Sequence, residues 1–100
     1  MNEQGRRTIH YTELPPAQPG EPLAAEWETY RREAGRLLAE GREGRFVLIK
    51  GEEVISLYDT WDAARDAGLQ RYLREPFLVH QVRAWEPLLR LRGYSLPWPT

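Results

Sequence analysis

The residues that can do chemistry are few and widely spaced. The chain holds two histidines, His10 and His80, and no cysteine. Without cysteine there is no thiolate nucleophile, no disulfide and no Cys-based zinc site. Such a composition fits a reducing cytoplasm, which is the expected location. His80 stands beside Gln81 in an otherwise apolar run, and its sequence neighbours add no further metal ligand. It reads as a half-exposed strand histidine. Asp59 and Asp62 form a carboxylate pair of the kind used in acid–base catalysis. They also precede an alanine-rich stretch, where Asp59 is expected as an N-cap and Asp62, three positions on, echoes a capping box. Lys50-Gly51 ahead of two glutamates lacks the glycine spacing of the nucleotide-binding fingerprints and reads as a turn. Ser56 and Ser95 have no histidine and acid close in sequence, so only a triad assembled in space remains open to them. No catalytic residue, metal ligand or cofactor site is therefore assigned, and the chain is not expected to be an enzyme.

Charge narrows the partners. Lys and Arg number 14 and Asp and Glu 15, a formal net charge of −1. Arg83, Arg90 and Arg92 interleave with Trp85, Leu88, Leu89 and Leu91, a pattern that can stack on single-stranded nucleic acid. The balanced charge opposes a dominant phosphate-binding role, so nucleic acid is an unlikely partner. No polybasic membrane anchor is present, and no stretch approaches the roughly 18 apolar residues of a membrane span. Residues 1–7 are not followed by the apolar run of a signal peptide.

These residues need a scaffold. At 100 residues, 41% hydrophobic and 29% charged, the chain suits one α+β domain with a thin core that oligomerisation would extend. Residues 1–22 read as a flexible Pro-rich tail, because Pro15, Pro16, Pro19, Gly20 and Pro22 oppose regular structure. A brief edge strand over residues 7–11 is the weaker alternative. A helix is predicted over residues 23–40. Leu23, Trp27, Tyr30, Ala34, Leu37 and Leu38 share one face of it, and Gly41 is its C-terminal cap. Residues 45–50 and 54–58 form a hairpin around Gly51-Glu52-Glu53. A second helix is expected over residues 60–72, with Trp61, Ala64, Gly68 and Tyr72 inward. Gly68 there means either very close packing on the sheet or an early helix end. A third strand covers residues 77–82 and lies beside the first strand, parallel to the second. The expectation is a small three-stranded mixed sheet, in the order helix–strand–strand–helix–strand, packed with two helices. Residues 23–82 are the domain, and residues 83–100 are an extension that packs on the domain or on a partner. Residues 88–92 are open between strand and helical turn, and prolines set residues 94–99 extended.

All three strands are apolar on both faces. Phe46 and Leu48 oppose Val47 and Ile49; Val54 and Tyr58 oppose Ile55 and Leu57; Phe77 and Val79 oppose Leu78 and Val82. Such a sheet must be covered twice. One helix per side would do it. Both helices on one side would leave a face for another chain or for the C-terminal segment.

The run Phe46-Val47-Leu48-Ile49-Lys50-Gly51-Glu52-Glu53-Val54-Ile55, then Tyr58-Asp59-Thr60, Ala64, Gly68 and Glu75-Pro76-Phe77-Leu78-Val79-His80-Gln81-Val82, resembles a family of short uncharacterised bacterial proteins, a domain of unknown function. The resemblance spans residues 24–82 and departs at Leu73, where relatives often carry glycine. It implies a fold and no catalytic residues. Some relatives are encoded near retropepsin-like aspartyl protease genes, which implies a protein partner.

The resulting expectation is a non-enzymatic protein-interaction module, an accessory or scaffold subunit, as a homo-oligomer or with another protein. Trp85, Leu96 and Trp98 are the expected contact residues, since tryptophan is enriched at binding hot spots and an unburied one is an apolar load. The alternatives are a small-ligand-binding or enzymatic domain with a site assembled in three dimensions, and a single-stranded nucleic-acid binder.

Overall fold

A computed structural model describes residues 8–87. Along the chain these form β1 (Thr8–His10), a 3-10 turn (Tyr11–Glu13), α1 (Ala24–Ala39), β2 (Phe46–Lys50), β3 (Glu53–Tyr58), α2 (Trp61–Arg71), β4 (Leu78–Gln81) and β5 (Trp85–Pro87).

α1 forms where apolar residues recur at helical spacing, and it buries Tyr30, Ala34 and Leu37. It ends at Gly41, whose φ of 78° is open to glycine at no steric cost. There the Gly41 N–H bonds to the Leu38 carbonyl (3.0 Å) and the Arg42 N–H to the Leu37 carbonyl (3.0 Å). This double bond pattern satisfies carbonyls that the helix end would otherwise strand.

β2, β3 and β4 form one sheet in the order β3-β2-β4, and both ladders are antiparallel. The sheet is thus not mixed, as the sequence had suggested. The β2–β3 hairpin reverses the chain, and the connection through α2 then steps across β2 to the far edge. β4 lies beside β2 and parallel to β3, as expected, but β2 separates the two parallel strands. The β2–β3 register slips between Leu48, opposite Ser56, and Ile49, opposite Val54, leaving Ile55 as a bulge residue. One extra residue reverses the alternation beyond it. Val54 and Leu57 consequently face α1, while Ile55 and Tyr58 face α2. Unbroken alternation would have put Val54 with Tyr58.

The two helices take opposite faces. α1 packs with Val47, Ile49, Leu78 and Val82, and α2 packs with Leu48, Phe77 and Val79. Both apolar faces are therefore covered within one chain. Each fully buried Leu or Ile of this core contributes about 1.5–3 kcal/mol relative to exposure.

α2 starts one residue later than a cap at Asp59 would allow. The Thr60 hydroxyl accepts the Ala63 N–H at 3.0 Å and is the N-cap. Asp59 is exposed and instead stands 3.5 Å from the Arg45 guanidinium. Gly68 is buried, and a Cβ built on it would lie 2.6 Å from Cζ of Phe77. The glycine thus permits a close approach inside an unbroken helix, with the Phe77 ring filling the space.

The segment read as a flexible tail over residues 1–22 is folded from Thr8 onward. β1 pairs antiparallel with β5. Leu14 is buried in the α1-side core. The Trp27 indole N–H donates to the Pro15 carbonyl (2.8 Å), and the Ala17 N–H donates to Glu28 (2.7 Å). That backbone bond, with help from Arg31, holds the Glu28 carboxyl below the usual carboxylate range. Prolines exclude helix and central strand from this stretch, yet they leave it free to lie extended along α1. Among the described residues, no helix is long and apolar enough to cross a membrane.

Candidate functional site

Three elements converge on one buried carboxylate. Glu86, in the middle of β5, is 2% exposed. The Tyr30 hydroxyl of α1 donates to its Oε2 at 3.1 Å, and Nε2 of His80, on β4, lies 3.0 Å from the same oxygen. The Arg83 N–H donates to the Tyr30 oxygen at 3.3 Å. The rings close around the histidine: Tyr30 and His80 centroids are 4.4 Å apart, and Trp27 meets His80 edge-on at 5.5 Å. An ionised carboxylate only accepts, so the geometry fits a proton on His80 Nε2. Burial pushes the Tyr30 hydroxyl pKa well up, and the neighbouring Glu86 charge pushes it further. Tyr30 therefore stays a neutral donor.

A carboxylate oriented against a histidine is one half of an acid–base relay. Here a tyrosine shares the same oxygen, and the trio ties β5 to α1 and β4. The sequence reading placed His80 on a strand but missed Tyr30 and Glu86 as its partners. A signal existed: Glu86 is the only acid in residues 76–100, set between Trp85 and Pro87.

A second buried polar contact anchors the hairpin. Gly51, at φ 61°, opens the two-residue loop that joins Lys50 to its partner Glu53. Its N–H donates to Glu26 (2.7 Å), and the Thr29 hydroxyl donates to its carbonyl (2.7 Å). Glu26 and Thr29 are both buried on α1. The turn is Gly51-Glu52, with Lys50 as the last residue of β2, and α1 grips it.

Among the described residues, two large apolar side chains stand out in water. Trp85 is 58% exposed and Leu73 is 73% exposed. Trp85 pairs across the ribbon with His10, whose ring meets it edge-on at 4.8 Å. Leu73 borders a shallow hollow of about 260 Å³ that runs along α2 from its first residue, Trp61, past Arg65 and Leu69 to Tyr72, and is completed by Glu75, Pro76 and Phe77. The Arg65 guanidinium lies 5.6 Å from the Trp61 ring and the Lys50 ammonium 5.5 Å from that of Tyr72.

Of the expected contact residues, Trp85 is on the surface; Leu96 and Trp98 lie outside the described residues. Among the described residues, no three His, Asp or Glu side chains gather as a metal site would need. Compared with protein-family models, curated proteins and solved structures, the chain matches none.

Proposed function

We propose that this chain is a non-enzymatic protein-interaction module, an accessory or scaffold subunit that associates with a second copy of itself through a surface centred on Trp85. The carrying observation is that Trp85 stays 58% exposed although both faces of the three-stranded sheet are covered from within the chain. Surplus apolar surface thus lies beside the sheet, on the β1–β5 ribbon. Exposed tryptophans of this kind are favoured anchors of protein contacts. The non-enzymatic reading draws support from the buried trio, since Glu86 spends one oxygen on two structural partners, Tyr30 and His80. The resemblance to a family of short uncharacterised bacterial proteins, some encoded near retropepsin-like aspartyl protease genes, also favours a protein partner.

Sedimentation velocity over a concentration series tests this. The expected result is a monomer–dimer equilibrium that Trp85→Ala weakens by tenfold or more while circular dichroism stays unchanged. A wild-type chain that sediments as a monomer throughout would contradict self-association.

A further inference from the structure

We propose that residues 15–19 are a preformed polyproline II ligand for an aromatic-lined groove on another protein. This contact is independent of self-association through Trp85. Leu14-Pro15-Pro16-Ala17-Gln18-Pro19 connects the 3-10 turn to α1 without helix or strand of its own. Its residues set its conformation. Proline fixes φ at about −65°, and a residue before proline is pushed to extended ψ. Leu14, Pro15 and Gln18 each precede a proline. Leu14 has φ −62° and ψ 138°, close to polyproline II. Burial shows the matching period of three. Leu14 is buried and Ala17 half-buried, whereas Pro15, Pro16, Gln18 and Pro19 are exposed. One edge of the extended segment thus rests on the fold. The other two, Pro16 with Pro19 and Pro15 with Gln18, face water.

The segment is also pinned. The Arg31 Nε–H donates to the Leu14 carbonyl (3.1 Å), the Trp27 indole N–H to the Pro15 carbonyl (2.8 Å) and the Ala17 N–H to Glu28 (2.7 Å). A turn closes the far end. There the Glu21 N–H donates to the Gln18 carbonyl at 3.2 Å, and Pro19 and Gly20, the latter at φ 87°, fill the central positions of a type II turn. The chain therefore loses its freedom here on folding rather than on binding, which favours a rigid ligand. Such a ligand fits one class of receptor. An aromatic-lined groove offers ring faces to prolines three residues apart. Its tryptophan and tyrosine also offer N–H and O–H donors to the ligand's carbonyls. Among the described residues, the Pro16 and Ala17 carbonyls accept no hydrogen bond, so each can take such a donor.

The test is heteronuclear NMR of the full-length chain, titrated to millimolar with a purified SH3 domain and, separately, with a purified WW domain. At least one of them is expected to shift the amides of Ala17 and Gln18 and the indole N–H of Trp27. Pro16→Ala and Pro19→Ala should each weaken that binding at least tenfold, with circular dichroism unchanged. Pro22→Ala should leave it unchanged, because Pro22 keeps the count of three but lies beyond the turn at Gly20. Trp85→Ala should bind like the wild type, which separates this contact from self-association. If neither domain shifts these resonances, the proposal falls. It falls as well if binding survives both Pro16→Ala and Pro19→Ala, or maps to the ribbon around Trp85. Equal weakening by Pro22→Ala would overturn the three-residue register on which it stands.

Discussion

The two sides of the sheet are held by different physics. On the α1 side, a 16-residue helix buries polar groups as well as apolar ones, and those polar groups join it to other segments: Glu26 and Thr29 to the hairpin turn and Tyr30 to Glu86, with a more exposed bond from Trp27 to the Pro15 carbonyl. On the α2 side, an 11-residue helix packs through Ala64 and Gly68 onto Leu48, Phe77 and Val79. The first side gains specificity, because a buried polar group left without its partner costs about 1–3 kcal/mol, and more if charged. The second gains closeness and covers less. Its C-terminal end leaves Leu73 in water beside the hollow. The first side is thus held mainly by bonded pairs, the second mainly by close apolar packing.

That contrast can be broken from either side. The largest effect should come from Glu86→Ala, which leaves the Tyr30 hydroxyl and His80 without their shared acceptor and removes the tie between β5 and α1. A loss of about 3–5 kcal/mol is expected by chemical denaturation. A loss under 1 kcal/mol would show that the trio is incidental. Gly68→Leu comes next: its side chain must displace the Phe77 ring, at a cost of about 3 kcal/mol. An unchanged melting temperature would refute the close approach.

The third effect depends on pH. The pKa of Tyr30 is raised in the folded chain, so its contribution is fully present below about pH 10, where an unfolded tyrosine ionises, and is lost as pH rises beyond. Stability should decline above pH 10, and Tyr30→Phe should flatten that decline. Phenolate absorbance would check it: ionisation of all tyrosines near pH 10 without unfolding would be the contrary result. The smallest effect separates two candidate caps. Thr60→Ala should cost about 1 kcal/mol, and Asp59→Ala, which loses only an exposed ion pair, under about 0.5 kcal/mol. The reverse ranking would restore Asp59 as the cap.

Local patterns made much of this readable in advance. The 3.6-residue spacing of Tyr30, Ala34 and Leu37 placed α1, the two-sided apolar run of β2 announced a doubly covered sheet, and Gly68 left close packing or an early helix end, of which the structure shows the first. What stayed hidden depends on residues far apart. β1 gains its partner β5 from the other end of the fold, and three residues of ladder leave little mark on composition. The bulge at Ile55 shifts a register without changing residue types. Nothing near Glu86 in sequence shows the tyrosine that reaches it from α1. Of the expected contact residues, Trp85 is exposed, while the hollow emerges only when α2 and the Pro76-Phe77 approach to β4 are set side by side.

The account turns on both faces of β2 being covered by helices of the same chain. Amide hydrogen exchange, followed across a dilution series that takes any dimer to monomer, measures this directly. Protection of Val47, Leu48 and Ile49 should be the same at every concentration. Protection that disappears on dilution would mean that another chain supplies the cover.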